Sequence, residues 1–543
     1  MKRRLFLILS ATALTLMVSA ARPSAPLQAT TGDSDNGLQT FNQILSLVEQ
    51  DYVDEVPSRD LVYGAIRGML TKLDPHCTFL DPESYKEMQE EQQGSFSGLG
   101  IVISLRGEDK ELTVISPIEG TPAYRAGIRA GDVITAIEGK STAGITMDEA
   151  LQKLRGKKGT TVTITLHREG VAEPYQHTLV RDDIPTVSIP YAFMLRPGVG
   201  YIRIKNFTQT TDSELEEKLS ELTSEGMKQL VLDLRWNPGG LLDQAVKVAD
   251  RFLKPHDMIV YTKGRLRGSY QEFRSTREVS DSTLPMVVLV NKGSASASEI
   301  VSGAIQDHDR GIIVGTTTWG KGLVQTVYRL SQNAGLALTT AKYYTPSGRL
   351  IQRDYKDSLD DYFSGEVTAS DDEREIRYTD SGRKVLGGGG ITPDVKIDLD
   401  KATHLEQAIE RRGYFFEFAV EWISEHGRPQ TPHFDVTDDV LAEFRKYIDD
   451  RKIDYKPEEW TEALDYIRTM IQAEVVGAAF DLQERQKIIA EKDKQILRAL
   501  EVLPAAVRLP ITAFNLDGLK PAGSEELPAK DQKAGAQIEN KEQ

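Results

Sequence analysis

The spacing of hydrophobic positions changes character several times along this chain of 543 residues. From Gly37 to Tyr85 it is helical. Phe41, Ile44, Leu45, Val48 and Tyr52 recur at intervals of three and four, as do Leu61, Ala65 and Met69. LDPHCTFLDPESY (73–85) breaks that pattern with two prolines. Residues 95–183 carry shorter units. SFSGLGIVISL is strand-like after a glycine-rich entry, 146–155 is a helical patch, and TVTITLH alternates. Together they predict a small β/α module. Between 199 and 345 the apolar runs GYIRI (200–204), LVLDL (230–234), MVVLV (286–290) and GIIVG (311–315) alternate with helical patterns at Leu215–Leu222, Leu241–Phe252 and Ser298–Gln306. That alternation predicts a mainly parallel sheet with right-handed crossovers and a ligand site beyond the carboxyl ends of its strands. Residues 354–386 are polar and predict an exposed insertion, closed by GGGGITPDV (387–395). Thr403 to Leu500 is helical and charge-rich, and 521–543 lacks an apolar face, which predicts a disordered tail.

The expected fold class is therefore α/β and multidomain. It comprises a linker at 21–36, an N-terminal helical region at 37–94, the module at 95–183, an α/β core at 184–400 and a helical C-terminal region at 401–520. Composition is ordinary for a globular protein, with 39% apolar and 27% charged residues. The net charge of −16 argues against nucleic-acid binding, which relies on basic surface against phosphate. Lys2, Arg3 and Arg4 precede an apolar run from Leu5 to Val18, and Val18-Ser19-Ala20 fits a small-residue cleavage site. Residues 1–20 thus predict a signal peptide and a location in the periplasm or wider cell envelope. An uncleaved leader would associate the chain with the membrane. Cys77 is the single cysteine, so no internal disulfide is expected and the thiol is read as a small buried hydrophobe.

Candidate chemistry concentrates in NKGSASASEIVSGAIQDHDRGIIVGTTTWGKGLVQ (291–325). A phosphate-binding loop ending at Lys321 would need Ser or Thr next, where Gly322 stands, and then a helix, where LVQTVYRL reads as a strand. His308 follows Ser296 by 12 residues, which along one helix is about 18 Å, too far for a hydrogen bond. Lysine remains as the base for a serine hydroxyl. It can act only when neutral, which requires uncharged surroundings. Trp319, Gly320, Gly322, Leu323 and Val324 supply them, and Gln325 falls on the same strand face as Lys321. Ser296-Ala-Ser-Glu299 also satisfies a capping box, so Ser296 has a purely structural alternative. Spacing alone leaves Ser294, Ser296 and Ser298 open.

GSASASEI followed by TTTWGKGLVQ closely resembles the carboxyl-terminal processing peptidases, or tail-specific proteases. LDPHCTFLDPESY and LDLRWNPGGLL (232–242) resemble further segments of that family, with Cys77 where Ser is usual. The resemblance spans roughly residues 38–400 and implies a serine endopeptidase. Ser296 would be the nucleophile, Lys321 the base 25 residues later, and Gln325 the residue that orients it. Gly239, Gly240 and Ala297 would form the oxyanion hole, and Asp307 would be structural. The 95–183 module resembles a PDZ domain in which Gly98, Leu99, Gly100 and Ile101 would receive a peptide carboxylate. The implied partners are protein substrates with free, unstructured C-termini. A homodimer or adaptor contact through the C-terminal helices is the other partner reading. No metal or cofactor is expected. A binding scaffold of the same fold without turnover is the alternative in a different class, and the presence of both Ser296 and Lys321 favours the enzyme.

Overall fold

The structure is a computed structural model that describes residues 33–107, 109–277, 283–355, 362, 374–398 and 401–506. The leader read at 1–20 and the tail read at 521–543 lie outside the described residues. The chain divides into two compact units, residues 1–73 and 74–543.

In the first unit, α1 (Asp33–Asp51) and α2 (Ser58–Leu70) follow the three-and-four spacing of their apolar positions. α1 begins inside the segment read as a linker. Residues 74–94, read as part of the N-terminal helical region, fold with the second unit instead, because Thr78–Leu80 pairs antiparallel with a strand of the core.

After residues 74–94, the second unit forms a module around a six-stranded sheet, in which the short strand Lys140–Ser141 pairs beside the main path. Strands β1 (Ile101–Arg106), β2 (Glu111–Pro117), β3 (Val133–Ile137), β4 (Thr161–His167) and β5 (Tyr175–Val180) lie in that spatial order, so β1 is an edge. Helix α3 (Met147–Leu154) starts at a capping box formed by Thr146 and Glu149. Leu112, Val114, Ile134, Val162, Ile164 and Leu166 form its dry centre.

The core sheet runs β6 (Tyr191–Arg196), β7 (Val199–Arg203), β8 (Gln229–Asp233), β9 (Met286–Val290), β10 (Ile312–Gly315), with a last short strand at Val395–Lys396. β6 pairs antiparallel with β7, and every later pairing in this sheet is parallel. The unbroken apolar runs follow from burial on both faces. Leu230, Leu232, Val288 and Val290 face one core, with α4 (Thr211–Ser224), α5 (Leu242–Asp250) and α6 (Ala297–Asp307) over it. Val231, Val287, Leu289, Ile312 and Val314 face the other. Three loops leave the carboxyl ends of adjacent strands β8, β9 and β10. After the last of them the chain continues as strand β11 (Leu323–Arg329), antiparallel to β12 (Gly335–Tyr344) in a second sheet. A strand at that point removes the phosphate-loop reading, which needs a helix N-terminus.

The region read as an exposed insertion is partly built in. Residues 356–361 and 363–373 lie outside the described residues, but Tyr362 is 1% exposed and Arg374 6%. The hairpin Ile376–Leu386 is fastened to the end of α6. Arg383 bonds Asp309 and Asp394, both at 2.6 Å.

The C-terminal region is helical from His404 to Ala506. Helices α7 (Tyr414–His426), α8 (Asp438–Asp450) and α9 (Pro457–Ala479) share a core around Phe415, Phe418, Phe444 and Ile471. The last helix, α10 (Lys494–Ala506), does something the sequence reading missed. Its Ile496, Ala499, Val502 and Leu503 form the second cover of the core sheet. Its apolar face is spent inside the chain.

Candidate active site

Three loops converge at the carboxyl ends of the parallel strands. From β8, Asn237-Pro238-Gly239-Gly240 passes beneath the start of α6. Gly239 has φ +102° and its missing Cβ would lie 2.8 Å from the Ser296 Cβ and 2.9 Å from the Ala297 nitrogen, so only glycine fits there. From β9, Asn291 to Ser296 leads into α6, and Ser296 sits at φ 54°, ψ −112°. That is a costly conformation for a residue with a Cβ, and it falls at a strand–turn–helix junction, where such strain marks a candidate functional residue.

The hydrogen bonds separate the three serines. Ser294 Oγ donates to the Leu234 carbonyl at 2.8 Å and accepts from Asn291 N. Ser298 Oγ donates to the Asn237 carbonyl at 3.0 Å. Both side chains are fully buried. Ser296 is half-buried, and its hydroxyl has no partner among the described residues. Its backbone N–H, however, donates to Glu299 Oε2 at 2.8 Å.

Glu299 and Tyr343 form a clasp that sequence reading did not reveal. Glu299 is completely buried. Its Oε2 also accepts from Lys321 N at 2.9 Å, and its Oε1 accepts from Gly320 N at 2.7 Å and Thr318 Oγ1 at 2.6 Å. Burial pushes its carboxyl up, and the four donors oppose that shift. Tyr343, buried on β12, turns its hydroxyl to the carbonyls of both Ser296 and Lys321. The Ser296 and Lys321 backbones are thus tied through both N–H groups and both carbonyls. The capping pattern pointed to Glu299 only as a helix cap, and no local signal marked Tyr343.

Lys321 is half-buried. Its Nζ donates to Gln325 Oε1 at 3.2 Å, and it bonds no carboxylate among the described residues. Burial lowers its pKa from the ordinary lysine value, while the charges of Glu299 and Asp74 oppose the shift. The lysine precedes β11, and a bulge falls between Val324 and Gln325. The amine and the amide therefore meet across an irregular turn, not along a plain strand face. Ser296 Oγ and Lys321 Nζ are not hydrogen bonded in this arrangement.

The three amides read as oxyanion donors differ. Gly239 N–H already donates to Asn237 Oδ1 at 2.9 Å. Gly240 N–H and Ala297 N–H have no acceptor among the described residues. In the edge-strand module, Gly98 is paired opposite Asp182 and Ile101 opens β1. Between them the N–H groups of Leu99 and Gly100 have no acceptor among the described residues, while both carbonyls are taken. Asp307 accepts from Arg349 Nη2 at 2.7 Å and Ser347 N at 3.0 Å, away from Ser296. Cys77 is buried and free, its Sγ donating to Asp74 Oδ2 at 3.1 Å. His308 caps α6 and stands apart from the serines.

Comparison with known proteins assigns four segments of the chain to known families. Residues 198–357 match peptidase family S41, 113–168 match PDZ domains, 12–84 match the activating protease CtpB N-terminal domain, and 405–464 match the C-terminal helical domain of a probable PDZ-protease. The carboxy-terminal-processing protease of Bartonella bacilliformis is 44% identical over 319 residues, 58% of this chain and 72% of that protein. That of Synechocystis sp. is 40% identical over 323 residues, covering 58% and 74%. The carboxy-terminal processing protease CtpA of Bacillus subtilis is 35% identical over 382 residues, covering 69% and 80%. The chain belongs to peptidase family S41. Within it, the chain is a serine-type carboxyl-terminal processing peptidase with a PDZ domain ahead of the protease core.

Proposed function

We propose that Ser296 and Lys321 form the catalytic dyad of an endopeptidase that captures unstructured protein C-termini through its PDZ domain and cleaves them in the cell envelope. The observation that carries this reading is the division among the serines. Ser294 and Ser298 are bonded and buried, whereas Ser296 is uncommitted and clasped by its backbone to a desolvated lysine. In the reaction, Ser296 Oγ bonds to the substrate carbonyl carbon as its proton passes to neutral Lys321 Nζ. The carbonyl oxygen takes the negative charge and faces the N–H groups of Gly240 and Ala297. The lysine then returns the proton to the leaving amine as the C–N bond breaks. Water hydrolyses the ester by the same route. The two side chains close the remaining gap when substrate is present, since such bonds tighten in the reacting complex.

The unpaired Leu99 and Gly100 amides support carboxylate capture, and the open edge of β1 supports strand addition by the tail behind it. The charged leader pattern supports export.

Ser296→Ala is expected to abolish hydrolysis of a peptide with a free apolar C-terminus while the melting temperature holds. Lys321→Arg is expected to be as inactive as Lys321→Ala, because guanidinium stays protonated, with a loss of about 10²–10⁴-fold in kcat. Normal turnover in Ser296→Ala would reject the dyad. Cleavage of matched acid and amide peptides tests the PDZ role, and amidation is expected to weaken capture about tenfold or more.

A further inference from the structure

The turn Asp74-Pro75-His76-Cys77 reaches the base from an unexpected direction. Asp74 Oδ1 accepts from His76 N at 2.9 Å and from Cys77 N at 3.0 Å, and Oδ2 accepts from the Cys77 thiol at 3.1 Å. The next residues, Thr78–Leu80, are pinned to Ala337–Gly335 of β12. The His76 carbonyl is thereby fixed in place, and it accepts from Gln325 Nε2. A carbonyl can only accept. A flipped amide would set oxygen against oxygen, so the amide is locked with Oε1 toward Lys321 Nζ. A neutral amine that gives one N–H to that oxygen keeps its lone pair free to accept a proton.

Charge acts on the same lysine from several elements. Glu299 on α6 and Asp74 on this turn both favour its protonated form. His76 is pushed down to about 4, first by burial and then by the lysine's charge, so it is neutral at working pH. Its Nε2 lies 2.5 Å from Tyr362 Oη. Tyr343 touches the lysine carbonyl, and Arg353 lies behind, its guanidinium 5.6 Å from the Trp319 ring centre.

We infer that Asp74 is a positioning residue for the catalytic lysine, acting through the His76 carbonyl and the Gln325 amide. The inference rests on the reading of Lys321 as the base. It gives the 73–85 segment a part in the chemistry from outside the parallel sheet.

The test uses the full chain and a peptide substrate, with kcat and KM measured from about pH 6 to 10, spanning the lysine's free and shifted values. The variants are Asp74→Ala, Asp74→Asn, Gln325→Ala and the pair Asp74→Ala with Gln325→Ala, beside Ser296→Ala and Lys321→Ala. Asp74→Ala is expected to lower kcat about 10- to 100-fold, the scale of a misplaced catalytic group, with KM within about twofold. Asp74→Asn keeps an acceptor for His76 N and Cys77 N. It is expected to recover most of kcat, with the rising limb of the pH profile moved to lower pH because the opposing charge is gone. In the pair, losing Asp74 is expected to add less than about twofold to the loss from Gln325→Ala alone. Fully additive losses, or an Asn variant as impaired as Ala with an unmoved limb, would overturn the inference. If Asp74→Ala does not fold, the limb of Asp74→Asn decides. Activity in Lys321→Ala would reject the dyad itself, whereas dead Ser296 and Lys321 variants beside unimpaired Asp74 variants would reject only the positioning role.

Discussion

Glu299 accepts four hydrogen bonds while completely buried, and two of its donors are the backbone N–H groups of Ser296 and Lys321. Glu299→Gln keeps the shape but turns one acceptor into a donor. If the amide oxygen stays on Thr318 and Gly320, the Ser296 and Lys321 amides face N–H groups. Two unsatisfied donors on these half-buried residues cost up to about 2–6 kcal/mol together. The expected outcome is a lower melting temperature and a kcat loss of about 100-fold or more, since the proposed nucleophile and base lose their shared anchor. A Gln variant with unchanged melting and turnover would remove the clasp from the argument. Gln325→Glu tests the same residues by charge. A carboxylate beside Lys321 Nζ favours the protonated amine, so the rising limb of kcat should move up by about 1–3 pH units. A limb that stays in place would mean that Gln325 does not face the titrating group. Residue roles were unevenly legible in the sequence. Spacing left Ser294, Ser296 and Ser298 open, the resemblance picked Ser296 with Lys321 and Gln325, and the hydrogen bonds distinguish Ser296 from its two bonded, buried neighbours. Tyr343 was illegible because it meets Ser296 across 47 residues, beyond the reach of any periodic pattern.

At the level of elements, the four apolar runs became β7, β8, β9 and β10 almost residue for residue, because strands buried on both faces write themselves as continuous hydrophobic stretches. The hairpin at 376–386 was illegible for the opposite reason. Its faces are mainly polar, and it is held by ion pairs that only the fold brings together. One of these is a pH-dependent tether. His308 Nδ1 lies 2.8 Å from Asp380 Oδ2 and its Nε2 lies 2.7 Å from the Met258 carbonyl. Both ring nitrogens face acceptors, so only the imidazolium donates to both. Burial works against that charge, but the bonds to Asp380 and Met258 outweigh it and the pKa is raised. The folded value therefore lies above the unfolded one. The tether's stabilisation is complete below the unfolded imidazole value of about 6.5 and is lost as pH rises through the raised value. Amide exchange in residues 376–386, corrected for its intrinsic pH dependence, should accelerate across that interval. His308→Gln should show no such step. An equal step in both proteins would assign it to another group.

Across the whole molecule, the C-terminal helices are tied to the catalytic end of the core sheet. Arg235 follows β8 and immediately precedes the Trp236–Gly240 loop. It is buried with Asp233 at 2.7 Å, and its Nη1 donates to Asp493 at 2.7 Å and to Gln495 at 2.9 Å. Charge-assisted bonds of this kind contribute about 1.5–3 kcal/mol each. Asp493→Ala should therefore lower stability by roughly that amount, while Asp233 still holds the guanidinium and kcat on a short peptide falls less than about threefold. Deleting residues 482–543 is a different experiment. It removes Asp493 and Gln495, and it strips α10 from Val231, Val287, Leu289, Ile312 and Val314. An exposed sheet face of that kind costs far more than any single ion pair, at about 1.5–3 kcal/mol for each large apolar side chain returned to water. The truncated chain should aggregate or melt without a cooperative transition, and it should lose short-peptide cleavage along with its fold. The alternative is a detachable arm that serves only adaptors or a second subunit. It expects the opposite: unchanged melting and unchanged cleavage of short peptides, with loss confined to large substrates. Thermal unfolding and short-peptide kinetics on Asp493→Ala and on the truncation separate the two accounts, and a truncated protein that melts and cleaves like the full chain would reject the built-in role of α10.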